Sequence, residues 1–594
     1  VGQALKIKPI ELGLACLVLL GVIFFSTADW SWAHPGFNHY DEEAAIARVQ
    51  LGREGMALPL VAFRGCLGTL AMAAGAACLG PRLSSLHAVV LLGFVLECLL
   101  LGLLASRIFS GRAGVWAVVV NGVCAFTLLR ARVLLSYAFL PMEWLLLLLL
   151  LPHALRRTTA LLWGLAASAL LLDYEAWALG LPVLGAAFWM QHRAKGLAPW
   201  ALGGLALGSA LILALSWDML AGHVALRLAM NVSNEPAELG ASAWKALKSF
   251  WSGGDYLSFV AAKGQPAFPA WALPLLVAGL VPAWRRWKSG LAWIAVGFLP
   301  LLLASGSAAE PQRALLAWAP LCLIAGAGAE SLIAWRPRLA PFALGALCLY
   351  GAAAEGRAYL KSIHAQYVTT YGESANLIAA VRELKRSEAG PRRFITELNY
   401  KSGAPIRFLL SDLKQAPDSG QVVAFVPWEY GPGMKGDWGR RDRIASQVSQ
   451  GYSPPVLLYP LASKIRRLDA IEAELRPLWS KAYLDGNVAV RSAALAYLDA
   501  HPQADAWVRT ACWESFLDSS MIMRQVPRQR VAQAMKEVLL SATFYEWMAR
   551  VSLYEDKDPL MPLAYASAAL KLDPSRENSR DLFRQAQQRA KQAP

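Results

Sequence analysis

Long apolar runs, broken by short polar and basic stretches, fill the chain from residue 10 to about residue 360. They lie at 10–27, 86–107, 113–129, 138–152, 158–172, 175–190, 198–217, 268–284, 290–304, 314–333 and 338–354. Each is near the ~17–25 residues that a helical crossing needs, a few being short. One further run, Leu58 to Gly80, carries Arg64 and is rich in Gly and Ala, a poor composition for spanning. From residue 361 the pattern changes. A helical stretch at 375–386 precedes short apolar runs at Phe394–Leu398, Ile406–Leu410, Val422–Val426 and Val456–Tyr459. Gly, Pro and polar residues separate them, which predicts a small α/β domain over 361–460. Helical periodicity then continues from 461 to 594.

The basic residues between the apolar runs set a direction. Lys6 and Lys8, Arg156-Arg157, His192-Arg193-Ala194-Lys195, Arg285-Arg286-Trp287-Lys288 and Arg336-Pro337-Arg338 all read as cytoplasmic. Working backward from Arg156, the 138–152 span enters from outside, so the turn from Arg130 to Tyr137 faces out. Ser110-Gly111-Arg112 then faces in, and the 86–107 span runs outward to inward. The first helix already ends outside, so Leu58–Gly80 does not cross and is expected in the outer interface. About eleven crossings remain, with the N-terminus in and the C-terminal domain out. The first run follows basic residues as a signal peptide would. No clear small-x-small cleavage site follows it, and it reads as a retained helix.

This topology collects unusual polar residues on the outer face. They are the loop 28–85, the turn with Arg130 and Arg132, the turn Asp173-Tyr174-Glu175, the loop 222–267 and the turn Glu310-Pro311-Gln312-Arg313. Ionisable residues at membrane depth are costly and are candidates for function. Ordinary loop polarity explains any one of them, but less readily their convergence.

Composition agrees with a membrane part followed by a water-facing part. The chain of 594 residues is 56% hydrophobic and 17% charged, with a net charge of +15. The Lys and Arg sit largely in short loops, so the charge does not indicate nucleic acid. The rest of it suits anionic headgroups of membrane lipids. Cys16, Cys66, Cys78, Cys98, Cys124, Cys322 and Cys348 lie in apolar segments and Cys512 is alone in the tail. They read as small buried hydrophobes. No P-loop, nucleophile elbow or zinc signature occurs.

The first outer loop reads Asp29-Trp30-Ser31-Trp32-Ala33-His34-Pro35-Gly36-Phe37-Asn38-His39-Tyr40-Asp41-Glu42-Glu43, and a helix-like stretch continues to about Gly52. Carboxylates at a helix start also complement its dipole, which is the plainer reading for Glu43. An Asp-Glu pair soon after the first membrane helix, then a short helix ending in Gly, resembles the first periplasmic loop of GT-C glycosyltransferases. The likeness is to protein O-mannosyltransferases and lipid A aminoarabinose transferases. It implies a polytopic GT-C-like fold over 1–360 and a polyprenyl-linked sugar donor. It also implies a catalytic Asp41 with Glu42 beside it. A carboxylate suits an acceptor proton, and Arg suits a lipid phosphate.

The resemblance extends more loosely along the chain. A basic turn at Arg107, a span, the Arg130-Ala131-Arg132 turn and the Leu-rich run after Glu143 follow the family's pattern. The family often has an acidic residue soon after that Arg, where this chain has Tyr137; Glu143 is the nearest carboxylate. A second acidic site, and a divalent cation bridged by it, are thereby in doubt. Arg132, Glu143, Asp173, Glu175, Glu310 and Arg313 are the candidates for substrate or phosphate binding. Arg313 equally suits an anchor at the headgroups.

Pro427-Trp428-Glu429-Tyr430-Gly431 resembles the Trp-Trp-Asp-Tyr-Gly of oligosaccharyltransferase catalytic subunits, and Val232-Ser233-Asn234-Glu235 is faintly similar to a second motif of theirs. Trp428, Glu429 and Tyr430 are therefore acceptor-binding candidates for en bloc glycan transfer. Against this, the motif follows a later strand than in that family. Ala564 to Leu570, then Leu572-Asp573-Pro574, resembles one helix of a tetratricopeptide repeat. No period is established, so the 461–594 region is expected to be a helical domain with one repeat-like hairpin, able to hold a protein acceptor or partner. A non-catalytic membrane scaffold is the alternative of a different class. The expected location is a bacterial inner membrane, with the C-terminal domain periplasmic. The sugar, the acceptor and the linkage are not legible.

Overall fold

A computed structural model describes residues 9–27, 40–55, 65–134, 136–173, 177–192, 195–216, 236–253, 266–302, 311–369, 392–395, 421–427, 446–448, 456–460, 487–504, 560–572 and 577–592, with single positions between 408 and 574. Contacts divide the chain into two units, Val1–Tyr371 and Gly372–Pro594.

The first unit is helical. Its described helices are α1 (Pro9–Thr27), α2 (Tyr40–Arg53), α3 (Cys66–Leu79), α4 (Leu83–Ile108), α5 (Gly111–Gly122), α6 (Ala125–Arg130), α7 (Leu140–Leu150), α8 (Arg157–Ser168), α9 (Trp177–His192), α10 (Ala198–Leu215), α11 (Pro236–Ser252), α12 (Leu273–Arg286), α13 (Lys288–Leu302), α14 (Leu315–Trp335) and α15 (Ala340–Thr369). Among the described residues, α4, α10 and α14 are long and apolar enough to cross a membrane, and shorter apolar helices accompany them. The chain is a multi-pass helical membrane protein.

The core is built around α14, whose residues Leu315 to Ala329 are all buried. It packs against α5, α12 and α13. Small residues permit this. A Cβ at Gly326 would collide with the Ala113 carbonyl, and one at Gly328 with the Leu275 carbonyl. Lipid tails give helices no hydrophobic reason to associate, so close backbone approach and dispersion hold them. The α8–α10 pair repeats the device, with Gly164 against Ala201 and Gly204 against Leu161.

Side-chain contacts pair the helix ends. At one end, Arg112 Nε donates to Glu11 at 2.5 Å, Arg107 donates to the Leu149 carbonyl at 3.1 Å, and Arg286 donates to the Phe109 carbonyl at 3.3 Å. The His192 ring nitrogen meets the Leu151 carbonyl at 2.9 Å. These are the ends that border the basic loops read above as cytoplasmic. At the other end, the Tyr359 hydroxyl donates to the Phe25 carbonyl at 3.0 Å, joining α15 to the C-terminal end of α1.

Two expectations change. The predicted 113–129 span is broken between α5 and α6 at Val123-Cys124. Thr127 Oγ donates to the Cys124 carbonyl at 2.9 Å, and Glu355 accepts the Ala125 amide at 2.9 Å. A hydropathy window cannot register such a break, because the group that satisfies the freed amide lies on α15. The Arg130 turn is also not an open outer loop, since Arg130 is 2% exposed and Arg132 6%. Of the run Leu58–Gly80, the described part forms the short helix α3. Gly75 faces Ser85 and Val89, so α3 runs back along the first turns of α4. At about 1.5 Å per residue, its 14 residues are little more than half the length of α4, with 26.

In the second unit, β1 (Arg392–Ile395), β2 (Gln421–Pro427), β3 (Ser446–Val448) and β4 (Val456–Pro460) form a sheet in the order β1-β2-β4-β3. β1 and β2 are parallel; β2–β4 and β4–β3 are antiparallel. Phe408, the one described residue of the run Ile406–Leu410, is helical and buried. A run this short does not distinguish a strand from a buried helical turn. Helices α16 (Asn487–Ala500), α17 (Leu560–Leu572) and α18 (Glu577–Gln592) follow. α17 and α18 pack as a hairpin through Tyr565, Ala566, Ala569, Leu582 and Ala586.

Candidate active site

Asp41 and Glu42 open α2, in its first turn. Their side chains lie outside the described part, but the helix they begin is well seated: Ala45, Ile46, Ala47 and Val49 are all at most 1% exposed. α2 packs on α3. Both helices belong to the segment between the C-terminal end of α1 and the start of α4.

Arg132 is held at the C-terminal end of α1. Its Nη1 meets the Tyr359 hydroxyl at 3.4 Å, and that hydroxyl donates to Phe25, two residues before α1 ends. Two residues earlier, Arg130 Nη2 grips both carboxylate oxygens of Glu97, at 2.6 and 2.7 Å. The Phe94 ring lies 5.5 Å from its guanidinium carbon. Asn121 completes the group, donating to Glu97 at 3.3 Å and accepting from Trp318 Nε1 at 2.6 Å. Four helices, α4, α5, α6 and α14, thus meet at one polar node inside an apolar bundle. Burial of an ion pair is tolerable only when geometry and further hydrogen bonds compensate. Here Arg130 keeps Nε and Nη1 without a partner among the described residues.

The second charged cluster joins Glu143 and Asp173. They are distant in sequence, yet their carboxyl groups are neighbours in the structure. Asp173 Oδ1 also accepts the Leu67 amide at 2.8 Å, and its carbonyl accepts the Gly65 amide at 2.8 Å. Gly65 is the N-cap of α3, at φ 66°, a conformation that glycine adopts without steric cost. Burial pushes the Asp173 carboxyl up to about 6, against the opposing hydrogen bonds from Glu143 and the α3 amides.

Arg313 is half-buried in the tight turn Pro311–Ala314 that leads into α14. Glu175, Glu310, Trp428, Glu429 and Tyr430 lie outside the described residues; β2 ends at Pro427, directly before Trp428. The structure therefore brings Glu143 to Asp173 and Arg132 to the end of α1. Sequence reasoning missed Glu97 and Tyr359. Glu97 carried a signal, a lone carboxylate in the 86–107 apolar run. Tyr359 carried none, being a Tyr on a long helix. Among the described residues no three His, Cys, Asp or Glu side chains converge to hold a metal ion.

No protein-family model matches the sequence, and no curated protein does. Among solved structures, the chain is similar to ArnT from Cupriavidus metallidurans bound to undecaprenyl phosphate. The TM-score is 0.46 at 13% identity, covering 76% of this chain and 98% of that one. The apo state of the same protein gives 0.47 at 14%. The Archaeoglobus fulgidus oligosaccharyltransferase tethered with an acceptor peptide containing the NVT sequon gives 0.38 at 14%, covering 68% of this chain and 63% of that one. Both are GT-C membrane glycosyltransferases.

Proposed function

We propose that the chain is a GT-C-type glycosyltransferase. It takes a sugar from a polyprenyl-phosphate donor at the outer face of a bacterial inner membrane. The observation that carries this reading is Arg132, buried where α1 ends and tied there through Tyr359. From that point the chain leaves for α2, the helix that begins with Asp41 and Glu42. A guanidinium at the C-terminal end of α1 and a carboxylate pair opening the next described helix suit the two halves of the reaction.

The acceptor's oxygen or nitrogen attacks the anomeric carbon of the sugar. The bond from that carbon to the phosphate oxygen breaks, and polyprenyl phosphate leaves with the electron pair. The acceptor proton passes to the Asp41 carboxylate, with Glu42 beside it. Arg132 meets the charge that grows on the leaving phosphate. Arg130 supports it, since its unpartnered Nε and Nη1 are donors that a phosphate oxygen would satisfy. Arg313 is a further contact, with Glu175 and Glu310 on the same outer face. Trp428, Glu429 and Tyr430 are candidates for the acceptor side. The positive-inside rule makes the Glu11–Arg112 end cytoplasmic and this end periplasmic.

The test uses the purified full chain and a labelled polyprenyl-phosphate hexose. Asp41→Asn should slow turnover by about 10²–10⁴-fold, the usual weight of a general base, with expression and melting unchanged. Equal turnover in Asp41→Asn and the parent would remove the enzyme reading and leave the scaffold one.

A further inference from the structure

The sequence places Glu143 and Asp173 among substrate-binding candidates, yet what Asp173 holds is helix α3. We propose that Asp173, braced by Glu143, is a positioning residue: it fixes the N-terminus of α3 and, through α3, the seat of the helix that begins with Asp41 and Glu42.

The chain of contacts is short. Asp173 Oδ1 accepts the Leu67 amide and the Asp173 carbonyl accepts the Gly65 amide, both at 2.8 Å. These are free amides of the first turn, which a helix cannot satisfy by itself. Gly65 is left-handed there, and the Thr69 hydroxyl returns to its carbonyl at 2.8 Å, which fixes the entry of the chain into α3. Asp173 is 2% exposed, so no water substitutes readily for it. Glu143 stands in the first turn of α7, one turn after Phe139. Phe139 presses on the bare face of Gly93 in α4, so the brace sits on the wall of the bundle. From α3 the contact passes to α2, where Ala45, one helical turn after Asp41, is buried. A reacting group displaced by about 1 Å can lose about 10²-fold in rate. A fixed α3 is therefore worth more to α2 than its own burial.

The catalytic consequence rests on the glycosyl-transfer reading, but the mechanical claim does not. Amide hydrogen exchange on the full chain in nanodiscs tests the mechanics. Asp173→Ala should raise exchange at Gly65 and Leu67 by at least about tenfold and raise it measurably across Ala45–Val49. Asp173→Asn keeps an acceptor at Oδ1 and should restore both. Where Asp173→Ala does not fold, Glu143→Ala removes the brace alone and should shift the same amides less. Unchanged exchange at Leu67 in a folded variant overturns the proposal, and so does a loosened α3 above an unchanged α2. With labelled polyprenyl-phosphate hexose, Asp173→Ala should lower kcat by about 10²-fold, leave KM for the donor within threefold, and recover in Asp173→Asn. A rise in KM alone would make Asp173 a binding residue and overturn the positioning role. Asp41→Asn, read separately, tells a failure of the transfer reading from a failure of this one.

Discussion

Glu97 and Glu143 are both carboxylates within the apolar bundle, and they meet opposite partners. Glu97 faces a cation, Arg130, with Asn121 and Trp318 closing the group. Glu143 faces another acid, Asp173. The first pair cancels its charge by ionic contact and ties four helices at their centre. The second sets two carboxyl groups side by side, and Asp173 Oδ1 accepts the Leu67 amide of α3. An ion pair of this kind is a fixed strut, because removing either partner leaves the other charge buried and uncompensated. The acid pair is adjustable, because burial pushes the Asp173 carboxyl up to about 6, and it sits at the N-terminus of α3.

The comparison is broken most directly at Glu97. Glu97→Ala leaves a buried guanidinium uncompensated and should cost about 3–5 kcal/mol. Thermal unfolding in detergent reads this, and an unchanged melting point would show that Arg130 has another partner. The double variant Glu97→Leu, Arg130→Met should recover most of that loss, because an apolar pair of similar volume is tolerated. If Arg130 serves the donor phosphate, the recovered protein should fold and still transfer poorly. Asp173→Ala comes next. It removes the cap of α3 and should cost about 1–2 kcal/mol, less than Glu97→Ala because no charge is stranded.

Asn121→Leu should cost about 1 kcal/mol, in the range measured for hydrogen bonds between membrane helices. Trp318 Nε1 would lose its acceptor, so Trp fluorescence reports the change alongside stability. The pH response is the smallest effect and separates the two clusters. Asp173 carries a folded-state value of about 6, above the ~3.9 of an unfolded chain. The folded state therefore holds a proton that the unfolded state has released. The stabilisation is complete below about pH 4 and is lost as pH rises through about 6. Asp173→Asn should flatten that part of the stability–pH curve. A curve equally steep in the variant would place the titration elsewhere.

Sequence by itself determined the membrane class, the order of most helices and the grouping of their ends. Hydrophobic length and loop charge are local quantities, and a bilayer reads them directly. The break between α5 and α6, the Glu97–Arg130 pair and the meeting of Glu143 with Asp173 were decided by tertiary structure alone. Each joins groups far apart in the chain: Ala125 with Glu355, Arg130 with Glu97, Asp173 with Leu67. Sequence shows that a buried carboxylate needs a partner, and only packing selects which one comes within hydrogen-bonding reach.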